Sequence, residues 1–99
     1  MKYLEKAEEY SEILKKDLVL VDFFATWCGP CRLLSKEIES RAKKRPDLEI
    51  VKVDIDKFPD IADKNHIMVV PTMKIYKKGN EVNSHSGYIT EEEIESLLS

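Results

Sequence analysis

Trp27-Cys28-Gly29-Pro30-Cys31 holds both cysteines of this 99-residue chain. Two thiols so close together admit three readings: half of a metal site, a structural disulfide, or a redox pair that opens and closes in work. The residues between them narrow the local structure. Proline loses nothing at a helix start, where the amide hydrogen has no intrahelical partner, so Gly29-Pro30 reads as the opening of a helix. Cys28 then stands at the helix N-terminus, where unpaired N–H groups and the positive dipole end stabilise a thiolate. Cys31 falls one turn on, close enough to bridge, on the apolar stripe Cys31, Leu34, Ile38 and Ala42. This arrangement predicts one exposed, acidified thiol and one sheltered, less acidic thiol. Thiol–disulfide exchange needs such an asymmetry: an attacker that meets substrate, and a resolver that attacks only the mixed disulfide.

Working outward, Leu18 to Ala25 (LVLVDFFA) is apolar on both faces except for Asp22, the pattern of a central strand covered on both sides. The helix after the cysteines should run to about Lys44, stopped by Pro46. Leu48 to Ile55 (LEIVKVDI) alternates as a strand, and Pro59 to Asn65 reads as a short helix opened by a proline. Thr72–Tyr76 and Glu81–His85 flank KKGN and predict an antiparallel hairpin. Thr90 with Glu93 makes a capping box for a last helix through Ile94, Leu97 and Leu98. Near the start, Leu4, Ala7, Tyr10 and Leu14 recur at helical spacing and predict a first helix ending near Lys16. No linker, repeat or low-complexity segment intervenes. Residues 1–99 therefore read as one domain of the α/β class, a mixed sheet with helices on both faces.

Sixteen Lys and Arg against nineteen Asp and Glu leave a net charge of -3, too little basic character for a nucleic-acid partner. With 42% hydrophobic and 35% charged residues, the chain should fold around one core beneath a well-solvated surface. The opening MKYLEKAEEYSEILKK is charged throughout and has no apolar signal-peptide core. The longest apolar run, LVLV, is too short to cross a bilayer. A soluble cytoplasmic protein without membrane contact is the expectation. In a reducing cytosol a structural disulfide is disfavoured, which leaves metal binding or catalysis. Zinc needs four ligands, and only Cys28, Cys31, His66 and His85 are on offer. The two histidines lack the close spacing of zinc fingers and read as surface residues, so the redox reading stands, with no metal and no bound cofactor.

WCGPC after VDFFAT, VVPT at residues 69–72, and KKGNEV followed by SGY resemble the thioredoxin family, from about Leu18 to Leu98 in the family's order and spacing. The resemblance implies the thioredoxin fold, a central mixed sheet flanked by helices. It places a first strand around Tyr3 to Glu5, where periodicity prefers helix. It implies a general protein-disulfide reductase acting on disulfide-containing proteins as a monomer, with Cys28 as nucleophile and Cys31 as resolving thiol. Electrons would come from a separate thioredoxin reductase. Asp22 would exchange a proton with Cys31, and a carboxylate inside LVLVDFF would be desolvated and its pKa raised. Lys52 matches a family lysine that approaches this Asp, although strand alternation alone equally allows it to face solvent. Pro71 would be cis and abut the cysteines, leaving the Val70 backbone free to pair with an extended substrate. Trp27, Gly29, Pro30, Val70, Pro71 and Gly87 would form the docking surface.

Three positions depart from the family pattern. Phe24 stands where tryptophan is frequent, so a hydrogen bond from an indole to Asp56 is expected to be missing. Lys36 replaces a helix-kinking proline, which predicts a helix without a sharp bend. Tyr88 follows Gly87 where a small residue is usual, adding bulk beside the docking surface. Two rival functions remain. One is a disulfide oxidase or isomerase module of the same fold, which commonly carries a histidine between its cysteines; here Gly29-Pro30 stands instead. The other is a non-catalytic binding subunit of a larger complex.

Overall fold

The apolar run around Asp22 becomes the middle strand of a five-stranded sheet. The computed structural model describes residues 1–99, in the order β1 (Lys2–Tyr3), a 3-10 turn (Ala7–Glu9), α1 (Tyr10–Leu14), β2 (Val19–Phe24) and α2 (Gly29–Lys44). There follow β3 (Glu49–Asp54), α3 (Pro59–Lys64), β4 (Thr72–Lys77), β5 (Asn80–Ser86) and α4 (Glu91–Leu98). The sheet order is β1-β3-β2-β4-β5; β1 and β2 run parallel to β3, while β4 is antiparallel to β2 and β5. The expected α/β class and its flanked mixed sheet are what the chain adopts.

Because successive strand residues point to opposite faces, β2 builds two cores at once. Leu20 packs with Leu34, Ile38, Ile50 and Ile94 beneath α2 and α4. Val19, Val21 and Phe23 pack on the other side with Ile13, Val51 and Phe58. The register sets Tyr3, Lys52, Asp22, Met73 and His85 in one row across all five strands.

One expectation is corrected. Residues 4–16 do not form a single helix. Leu4 donates its N–H to the Lys52 carbonyl at 2.9 Å, extending the pairing of β1 beside β3, and the helix begins only at Tyr10. Leu4 is buried by sheet pairing, and Ala7, assigned to the apolar stripe, is exposed. The competing edge pairing, formed with residues nearly fifty positions away, outweighs a local periodicity.

Elsewhere local chemistry decides. α2 is continuous through Lys36. α3 ends in a Schellman turn: His66, at φ 55, donates to Asp63 and Ile67 donates to Ala62, each at 3.0 Å. The β4–β5 turn has positive φ at both Lys78 (52) and Gly79 (88), the two-residue geometry whose twist matches a hairpin. Thr90 accepts the Glu93 N–H and Glu93 accepts the Thr90 N–H, a complete capping box at the start of α4.

Candidate active site

Cys28 is the N-cap of α2, with extended backbone, and its Sγ accepts the Cys31 N–H at 3.1 Å. One of the helix's orphan donors thus points at the sulfur, a contact that strengthens when that sulfur carries charge. Cys28 and Cys31 form a disulfide across a Cα–Cα distance of 5.3 Å. Their expected difference in exposure is absent, since Cys28 is 5% and Cys31 3% exposed. In the disulfide the Cys28 sulfur turns inward to Cys31 and lies 3.8 Å from the Val70 carbonyl oxygen. What separates the two cysteines is place: Cys28 caps the helix beside Val70, while Cys31 lines a cleft of about 200 Å³ with Ser35 and Lys52.

Asp22 is fully buried, and neither carboxylate oxygen has a hydrogen-bond partner. Burial pushes its carboxyl up to about 6, with the Lys52 charge pulling the other way. Lys52 is likewise buried, its Nζ 3.6 Å from Asp22 Oδ2, beyond hydrogen-bond length but close enough for Coulomb attraction.

The Val70–Pro71 peptide is cis, and no backbone group occupies the N–H or C=O of Val70. Gly87 donates its N–H to the Pro71 carbonyl at 2.8 Å and holds φ +97, where a side chain would be strained although space is open. Trp27, 67% exposed, and Pro30 flank Cys28 on the surface, with Gly29 half-buried between them. Tyr88 is also exposed, and its phenol is raised by partial desolvation and then by the Glu37 carboxylate.

The hydrogen bond expected to be missing at Asp56 is present. Trp27 Nε1 donates to Asp56 Oδ2 at 2.9 Å, so the loop tryptophan supplies the indole that Phe24 cannot. Phe24 instead meets Tyr3 edge to face at 5.6 Å.

Three residues near the cysteines or the cis bond were not singled out from the sequence. Met68 is 89% exposed and Val69 56%, directly before the cis bond. An apolar run, IMVV, that ends at a proline without forming a strand was the available signal. Ser35 accepts a hydrogen bond from Lys52, a pairing with no local signal because it joins helix to sheet. No group of three or more His, Cys, Asp or Glu side chains assembles for a metal, and no helix is long and apolar enough to cross a membrane.

A family model described as Thioredoxin matches residues 1–99. The chain belongs to the thioredoxin family. It is 40% identical over 77 residues to thioredoxin-1 of Saccharomyces cerevisiae, covering 77% of this chain and 75% of that one. It is 37% identical over 92 residues to the thioredoxin of Chlamydia trachomatis, covering 93% and 90%. A solved Plasmodium falciparum thioredoxin superposes with a TM-score of 0.91 at 32% identity, covering 99% of this chain and 96% of that one. Thioredoxin-type exchange is therefore the chemistry of Cys28 and Cys31, a dithiol that becomes a disulfide as it reduces another. The chain is a protein-disulfide oxidoreductase.

Proposed function

We propose that this thioredoxin-family chain is a monomeric, single-domain, general disulfide reductase of the cytoplasm, recharged by thioredoxin reductase. The observation that carries this reading is the cysteine pair at the opening of α2, with a buried Asp22, its carboxylate without a hydrogen bond, on the strand beneath it. An extended substrate pairs with the free backbone of Val70, against Trp27, Pro30, Pro71 and Gly87, while Tyr88 at the rim narrows partner choice. The Cys28 thiolate attacks one substrate sulfur, and the other leaves as a thiolate that takes a proton from solvent. Cys31 passes its proton to the Asp22 carboxylate, by way of a water molecule, and attacks Cys28 Sγ. The Cys28–Cys31 bond forms, the Cys28–substrate bond breaks, and the second substrate thiolate collects a proton. Two electrons have moved from the pair to the substrate, and thioredoxin reductase restores them.

Gly29-Pro30 offers no histidine to stabilise the Cys28 thiolate, which favours a reductant over an oxidase or isomerase. With dithiothreitol as donor the protein should reduce insulin disulfides, and its own disulfide should persist in a glutathione buffer. No insulin turnover would overturn the reductase reading. Complete reduction by glutathione would favour the oxidase or isomerase, and a Cys28→Ser variant that retains the cellular role would favour a binding subunit.

A further inference from the structure

A buried ammonium beside a buried carboxylate gains most by closing into a directly hydrogen-bonded pair. Lys52 and Asp22 do not close. Their side chains are 4% and 0% exposed, yet Nζ stops 3.6 Å from Oδ2. The ammonium is held from the cleft side, where it donates to Ser35 Oγ and lies 5.3 Å from the ring centroids of both Tyr3 and Phe24. Two ring faces and a hydroxyl therefore compete with Asp22 for one cation.

We propose that Ser35 is a positioning residue for resolution: by retaining the Lys52 ammonium in the cleft, it leaves the Asp22 carboxylate free to accept the Cys31 proton. This rests on the reading of Asp22 as that base. Opposite charge in direct hydrogen-bonded contact would hold the carboxylate ionised and make it a poorer base. Keeping the cation near but unbonded preserves basicity without leaving a buried lysine unpaired. The other groups around the cleft do not replace it. Arg32 of α2 donates to the Thr26 carbonyl at 2.9 Å, β1 contributes the neutral Tyr3, and β4 sets Met73 opposite Asp22. The proton balance is unchanged: it leaves Cys31 Sγ, rests on Asp22, and is released once the new disulfide has closed.

The test is Ser35→Ala, a substitution that favours helix and so should preserve α2. In the oxidised protein the Asp22 titration, followed by the carbon chemical shift of its carboxyl, should move down by about 1 pH unit, the low end of the effect of an opposite charge. Release of substrate from a preformed mixed disulfide at neutral pH should slow with it. Ser35→Thr should restore the parental midpoint, and in a Lys52→Met background Ser35→Ala should move nothing. A midpoint that stays or rises in Ser35→Ala overturns the proposal, as does an equal downward shift without Lys52. The base reading fails separately, through an Asp22→Asn variant that resolves mixed disulfides at the parental rate; that result overturns the catalytic half of the proposal while the titration still reports the clamp.

Discussion

Cys28 and Cys31 are nearly equally covered in the disulfide, so solvent access does not decide which of them attacks a substrate. Position decides it. Cys28 receives the Cys31 amide hydrogen at the helix start, and Cys31 faces the cleft that Lys52 shares. Cys31→Ser should therefore accumulate mixed disulfides with proteins in lysate, because a hydroxyl cannot release them. Cys28→Ser should trap few, since its remaining thiol has no place at the cap. Non-reducing gels read before and after dithiothreitol decide it, and equal trapping by the two variants would reverse the assignment. The same scale shows where the sequence misleads. The expectation drawn from Phe24, that no indole N–H reaches Asp56, failed, because Trp27 reaches it from the loop. Contacts between residues so far apart are fixed only by the fold. Trp27 is the single tryptophan, so tryptophan fluorescence comes from this ring alone. Asp56→Ala should lower its anisotropy and weaken substrate docking modestly; an unchanged anisotropy would show that the bond does not hold the ring.

At the level of elements, legibility follows how local each determinant is. α2, the β4–β5 hairpin and the α4 cap were readable because proline, glycine and the Thr90/Glu93 pair act within a few residues of themselves. β1 was not readable: two residues gain their partners from β3, while the neighbouring Leu4, Ala7, Tyr10 and Leu14 imitate a helix. The hairpin also carries a local cost that the sequence shows only in part. Lys78 adopts φ 52, a conformation Asn tolerates better than Lys. Lys78→Asn should therefore recover part of the roughly 1–2 kcal/mol that a left-handed residue costs, with no change in exchange activity. Urea unfolding would measure it as a shifted midpoint at constant slope. A loss of stability would mean that Lys78 makes a compensating contact.

Across the whole molecule, two buried carboxyl systems oppose each other in their response to pH. α2 and α4 are clasped through Glu91, which accepts from Lys44 at 2.7 Å and Ser40 at 2.9 Å and pairs with Arg41 at 3.2 Å. The last turn of α2 is basic and the first turn of α4 is acidic, charges that each suit their helix dipole and that the fold pairs with one another. Lys44 first, then Ser40, hold the Glu91 carboxyl below its usual 4.5, so its contribution is present above that pH and is lost as pH falls through the lower folded value. Asp22 has the reverse sign. Its carboxyl is raised from 3.8 to about 6, so the folded protein keeps a proton that the unfolded chain has released, and stability falls as pH rises across that window. Two units correspond to roughly 3 kcal/mol at neutral pH. Asp22→Asn removes that liability: its melting temperature relative to the parent should climb between pH 4 and 6 and level off above, while exchange slows. Glu91→Gln should melt below the parent at neutral pH, a deficit that closes as the solution is acidified below about 4.5. The two networks share no partner, so the double variant should show the sum of both effects and a flatter stability profile than the parent. Thermal melts of the four proteins from pH 3 to 8 test this directly. If Asp22→Asn instead loses ground as pH rises, the native carboxylate is stabilised by its surroundings, and the picture of a buried base without a hydrogen bond beneath the cysteines is wrong.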